Sequence, residues 1–124
     1  MLSHRPSAPG PGFVLARLLL ASVFIVMGTW RLWNTAHATA PDTASLAFSA
    51  AELLLGLLVA LGWKLRWTAL LSALLMAMDA AMSHPFWALA EPERSAQLLH
   101  FMKNVNIVGG FLLLALVSSN ARRR

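Results

Sequence analysis

Ionisable and amide side chains recur in this sequence inside segments that are otherwise apolar, where they could bind a polar ligand or carry protons. Eight of them form the candidate site: Arg31, Glu52, Asp79, His84, His100, Lys103, Asn104 and Asn106. A charged side chain at the centre of a bilayer costs roughly 2.5–3.5 kcal/mol on insertion scales, so such groups pair with one another instead of facing lipid. We therefore expect these residues to form one connected, charge-balanced network in the outer half of the protein.

This network has two interpretations, which the sequence leaves open. It is either a structural element that fixes helix register, or a polar pocket for a small ligand, a quinone headgroup or a partner's side chain. No catalytic residue can be assigned. The chain has no cysteine, which excludes disulfides, cysteine-ligated zinc and iron–sulfur clusters within it. His84 and His100 lack the spacing of a chelating motif, so we expect no metal, and no cofactor is predicted beyond a quinone as candidate.

The composition indicates a membrane protein. Of the 124 residues, 58% are hydrophobic and 12% are charged, whereas about a quarter are charged in an ordinary soluble domain. The formal net charge is +5, but the basic residues flank apolar segments and do not form the basic face that nucleic-acid binding requires. We expect the lipid bilayer, and not nucleic acid, as a partner.

Four apolar segments are long enough to cross a bilayer, at residues 13–33, 44–63, 67–84 and 95–118. Residues 1–12 are rich in Pro, Gly and Ser and are predicted to form a disordered tail, and residues 119–124 a basic C-terminal tail. The connections are short. These features predict an all-α integral membrane protein, a four-helix bundle with up-down-up-down topology.

The distribution of basic residues predicts that the N- and C-termini are both cytoplasmic, because cytoplasmic loops carry an excess of Lys and Arg. The two sides of the bundle would hold Arg5, Arg17, Lys64, Arg66 and Arg122 to Arg124 on one side, and Arg31, Arg94 and Lys103 on the other. Trp30, Trp33 and Trp87 would then lie at the outer interface, and Trp63 and Trp67 at the inner one. Gly28, Gly56, Gly109 and Gly110 are predicted to allow close helix packing.

The chain resembles the DoxX family of small bacterial inner-membrane proteins, including its YphA-like members. The resemblance extends from about Phe13 to Val117. It is carried by Leu15 to Leu18, Phe24, Gly28 and Arg31-Leu32 in the first segment, by Ala51-Glu52, Gly56-Leu57, Leu61-Gly62 and Arg66 in the second, and by His84, Phe86-Trp87, Gln97, His100-Phe101, Lys103-Asn104, Ile107 and Gly109-Gly110. Arg31 stands where lysine is commoner in the family, and Asp79 and Asn106 depart from its pattern.

The resemblance implies a multi-pass protein of the bacterial cytoplasmic (inner) membrane. Some members are linked with thiosulfate:quinone oxidoreduction and others with oxidative-stress complexes, but the family offers no established catalytic residue to transfer. We therefore expect an accessory or structural subunit, not catalytic on its own, beside a protein partner in a membrane redox complex. One alternative is a quinone-interacting oxidoreductase subunit. The other is a small-solute transporter or channel, which would have to be a homo-oligomer.

Overall fold

A computed structural model describes residues 8–121 as four long α-helices joined by short connections. The helices are α1 (Pro11–Ala36), α2 (Thr43–Leu61), α3 (Leu65–Ser83) and α4 (Glu93–Ala121), and a single 3₁₀ turn, Phe86–Ala88, lies between α3 and α4. The described residues contain no strand. Most of the predicted N-terminal tail and the last three arginines lie outside the described part. The helix α1 begins at Pro11, inside the predicted tail, because proline is favoured at the first helical position.

Each helix is long enough to cross the hydrocarbon core. The shortest two contain 19 residues, and at 1.5 Å per residue they extend about 28 Å, close to the thickness of that core. Large apolar side chains cover the outside of the bundle, with Leu61 78% exposed, Met82 72% exposed and Trp33 65% exposed. A soluble bundle would turn such side chains inward. The predicted all-α membrane bundle is therefore confirmed, and the chain is a multi-pass membrane protein.

The helices form a ring in chain order, in which each packs on its neighbours and α1 lies diagonally across from α3. The closest packing is within two hairpins, α1 with α2 and α3 with α4. In the first hairpin, a Cβ on Gly28 would lie 2.8 Å from the backbone nitrogen of Leu53, and one on Gly56 would lie 2.8 Å from the Cβ of Phe24. These two glycines therefore let the two backbones approach closely.

A small apolar core joins the hairpins in the half of the bundle nearer to the α2–α3 connection. The rings of Phe24 and Phe111 lie 5.1 Å apart between centroids, and both side chains are buried. Alanines of α3 at positions 69 and 73 are buried against them, so the helices approach closely without large side chains. The opposite half of the bundle, which holds the α1–α2 and α3–α4 connections, carries the polar side chains. We call it the predicted outer end.

The α2–α3 connection is held by a basic side chain. Gly62 ends α2 in the left-handed conformation, with φ of 74°, and the guanidinium of Arg17 lies directly against it. A cation at this place is favourable because the carbonyl groups at a helix C-terminus carry partial negative charge. Arg17 thus stabilises the tight turn between α2 and α3.

At the other end of α2, Asp42 caps the helix. Its carboxylate accepts hydrogen bonds from the Ser45 hydroxyl at 2.6 Å and from the Ser45 backbone N–H at 3.0 Å. Both hydrogen bonds hold the pKa of Asp42 below its ordinary value because they stabilise the ionised form, and the bond from the Ser45 hydroxyl has the larger effect. The cap fixes the start of α2 and leaves a negative charge at the predicted outer end.

Candidate functional site

The centre of the polar end is an ion-paired cluster that connects three helices. Nη1 of Arg31, on α1, donates to Oδ1 of Asp79, on α3, at 3.0 Å and contacts Oε2 of Glu52, on α2, at 3.4 Å. Because α1 and α3 are diagonal neighbours without close backbone approach in the described part, the long arginine side chain crosses the interior of the bundle. The cluster therefore holds the two hairpins together where the apolar core is absent.

Asp79 is the best-satisfied member of this cluster. Besides Arg31, its carboxylate accepts a hydrogen bond from the Ser83 hydroxyl at 2.7 Å and from the Asn104 amide nitrogen at 3.0 Å. Its side chain is 8% exposed. A buried carboxylate is tolerated where charge and hydrogen bonds compensate for lost water, and donors from α1, α3 and α4 do so here.

Glu52 is less well compensated. Its side chain is 5% exposed, and the 3.4 Å contact with Arg31 is the one hydrogen bond that its carboxylate makes among the described residues. The expected charge balance, in which Arg31 and Lys103 together would offset the two acids, is therefore not what the structure holds in this cluster. Two carboxylates face a single guanidinium, so an ionised cluster carries an excess of one negative charge.

A cavity of about 610 Å³ opens beside the cluster, between the outer halves of α1, α2 and α3. Its polar lining includes Arg31, Asp42 and Asp79, together with serines 45, 49 and 83. Its apolar lining is supplied by Trp30, Phe48, Met78 and Met82. Ligand pockets usually measure between roughly 300 and 1,000 Å³ and combine apolar walls with a few polar groups. The cavity meets both criteria.

A second polar cluster lies on the α3–α4 side and is separate from the first. Nδ1 of His84 and Oε1 of Gln97 lie 2.7 Å apart, and the ring of His84 stacks on that of His100 with centroids 5.3 Å apart. Phe86, Trp87 and Phe101 pack edge to face beside them. No group of three potential metal-ligating side chains occurs in residues 8–121. This cluster fastens the α3–α4 connection to α4.

The remaining two residues of the expected network face away from it. Lys103 and Asn106 are exposed on α4, and neither makes a side-chain hydrogen bond or ion pair with any described residue. The expectation of one network containing all eight residues therefore needs correction. The reason is helical phase: Asn104 points toward Asp79, and at 100° per residue its neighbours at 103 and 106 are turned well away from that direction.

The four glycines predicted to allow helix packing also divide into those that face another helix and one that does not. Gly28 and Gly56 lie against α2 and α1 respectively, and a Cβ on Gly110 would lie 2.8 Å from a methyl carbon of Leu20 on α1. A Cβ on Gly109 would meet nothing within 4 Å. Packing within the described chain therefore accounts for three of the four predicted positions, whereas Gly109 lies on the outward surface of α4 with Lys103 and Asn106.

Several contributors to the site are not among the eight candidate residues. Ser83 follows Asp79 by one helical turn, a spacing that signals a side-chain contact. Trp30, which is expected at the outer membrane interface, also lines the cavity. The pairing of Gln97 with His84 has no local signal, because it depends on how the chain turns after His84-Pro85.

Comparison with known proteins finds a relative of this chain. The inner membrane protein YphA of Escherichia coli (strain K12) is 26% identical over 117 residues, covering 87% of this chain and 84% of YphA. No family model matches the chain. No solved structure matches it.

Proposed function

We propose that this chain is a DoxX-like accessory subunit of the bacterial inner membrane, which docks through the outward surface of α4 on a transmembrane partner of a redox or oxidative-stress system. The likeness to an inner membrane protein over most of both chains supports the compartment. The association with redox systems rests on the resemblance to DoxX proteins. The cluster at Arg31 is held by groups of this chain, which favours a structural role for it over catalysis.

The observation that carries the proposal is the ridge of α4 formed by Lys103, Asn106 and Gly109. These residues are three apart, so they form a continuous row on the helix surface. Lipid solvates neither an ammonium nor an amide, and a glycine exposes backbone that a neighbouring helix can approach. All three are explained by a partner helix that offers a carboxylate to Lys103 and an amide or hydroxyl to Asn106.

The test is site-specific photocross-linking in native membranes of the source bacterium. A benzophenone amino acid at position 106 should capture a distinct integral membrane protein, identified by mass spectrometry as a redox or stress-response component. The matched control is the same amino acid at Val26, which is 62% exposed on α1 and should capture none. Capture of a second copy of this chain, or of lipid alone, at position 106 would contradict the proposal.

Variants of Lys103 sharpen the test. Lys103→Met removes the charge that recruits the partner's acid and should reduce the yield of cross-linking at position 106. Lys103→Arg keeps the charge and should retain most of it. Equal yields from both variants would show that the charge at position 103 plays no part in docking.

A further inference from the structure

We propose that the cavity between α1, α2 and α3 is a binding site for a lipophilic organic cation, an amine or quaternary ammonium group that carries apolar substituents. The inference goes beyond the docking function and does not depend on it, because the cavity is lined by α1, α2 and α3 and by the α1–α2 connection, whereas the docking ridge lies on α4.

The charge of the cavity selects the sign of its ligand. Arg31 brings the one positive charge among the lining residues, and that charge already lies 3.0 Å from Asp79 and 3.4 Å from Glu52. Asp42 adds a further carboxylate at the α1–α2 connection. Ionised, the three charged residues of the lining, Arg31, Asp42 and Asp79, carry a net charge of −1. A cavity whose lining carries an excess of negative charge attracts cations and repels anions.

The shape and walls of the cavity select apolar substituents. Trp30, Phe48, Met78 and Met82 offer an aromatic face and flexible thioethers to a ligand. An ammonium or phosphonium group is attracted to the negative face of an indole ring, and methionine side chains adjust to irregular apolar shapes. Small inorganic cations would leave these walls without contacts.

The exposure of the lining residues indicates the route of entry. Trp30 and Met82 are 60% and 72% exposed, and both lie on the outer surface of the bundle as well as in the cavity lining. Since that surface contacts lipid, a lipophilic cation concentrated at the membrane interface reaches the cavity without first crossing water. The buried carboxylate of Asp79 then lies at the inner wall, and Trp30 and Met82 lie at the entrance.

The experiment compares two ions of the same shape and opposite charge with the purified full-length protein in mild detergent. Radiolabelled tetraphenylphosphonium should bind saturably, whereas radiolabelled tetraphenylborate, measured in separate samples because the two ions precipitate together, should not. The neutral comparison is a short-chain ubiquinone, which should displace the bound cation weakly or not at all. Absence of saturable binding of the cation, equal binding of the anion, or full competition by the quinone would overturn the proposal.

Variants distinguish the site from general partition into detergent. Asp79→Asn should weaken binding about tenfold, the loss that a free-energy change of roughly 1.4 kcal/mol produces. Because Asp79 also holds the bundle together, Asp42→Asn provides a second variant: asparagine keeps the helix cap, yet removal of the charge should still weaken binding. Glu91→Gln, on the exposed α3–α4 connection, is the control and should bind as the wild type. If both Asp42→Asn and Asp79→Asn bind tetraphenylphosphonium as tightly as the wild type does, the carboxylates have no role in binding.

Discussion

Replacing Arg31 by methionine should lower the free energy of unfolding by about 3 kcal/mol. Methionine keeps an apolar stem but leaves the carboxylates of Glu52 and Asp79, whose side chains are 5% and 8% exposed, without a cation. Two unit charges 3.0 Å apart attract by about 5.5 kcal/mol at an effective dielectric constant of about 20. Desolvation of the ions offsets part of this, and breaking buried pairs typically costs about 3–5 kcal/mol. Because the Arg31 side chain is 26% exposed, we expect a loss of stability at the lower end of this range.

The size of the loss should depend on the charges left behind and not on the missing arginine contacts. In the triple variant Arg31→Met, Glu52→Gln, Asp79→Asn, no charge remains in the cluster, while the amide at position 79 can still bond to Ser83 and Asn104. This variant should recover at least half of the stability that Arg31→Met loses. Reversible unfolding in mixed micelles of mild detergent and dodecyl sulfate, followed by tryptophan fluorescence, measures the three free energies.

The control for this experiment is Arg94→Met, since Arg94 is exposed and makes no side-chain hydrogen bond among the described residues. It should change the free energy by less than about 0.5 kcal/mol. If Arg31→Met lies within 1 kcal/mol of the wild type, or if the triple variant is no more stable than Arg31→Met, the ion-paired cluster does not hold the hairpins together as argued.

Three further predictions concern packing, topology and pH. Gly28→Ala forces α1 and α2 apart and should lower the free energy of unfolding by about 1–3 kcal/mol. Gly109→Ala places its methyl group in open space and should leave that free energy nearly unchanged. Equal losses in the two variants would contradict close packing at Gly28. In the cysteine-free chain, a single cysteine at Ala38 should react with an impermeant maleimide in intact cells and one at Lys64 only after permeabilisation, and the reverse would invert the topology. Asp42→Ala should destabilise the protein at neutral pH. Because the pKa of Asp42 is lowered in the fold, its contribution is complete above the ordinary carboxyl pKa and disappears as pH falls through the lower folded value; a difference that persists in strong acid would refute the capping role.

The sequence was sufficient for the architecture because lipid imposes simple rules on it. A segment with enough apolar residues must form a helix, since only a helix satisfies its backbone hydrogen bonds within the bilayer. Short links between such segments then permit little besides antiparallel neighbours. The helix ends were less well determined, because they depend on single residues such as Pro11 and Asp42 whose effect is local.

The site was less accessible to sequence reasoning because it depends on rotation and separation of the helices. Arg31, Glu52 and Asp79 could be placed at one depth by counting residues from the connections. Lys103 and Asn106 lie at nearly the same depth as Asn104, but a helix turns far enough between them that they cannot all face one interior. The cavity depends on how closely the hairpins approach at the predicted outer end. The spacing of polar and apolar residues in the sequence does not determine that distance.

The position of Asn104 gives the two proposed sites a physical connection. Its amide donates to Asp79 at 3.0 Å, and Asp79 in turn lines the cavity. Asn104 lies on α4 between Lys103 and Asn106, which belong to the docking ridge. A partner that shifts or rotates α4 therefore changes the hydrogen bonding of Asp79, and a cation bound beside Asp79 changes the electrostatic potential at α4. Since coupling between two sites is reciprocal, a ligand that strengthens docking must itself bind more tightly when the partner is present.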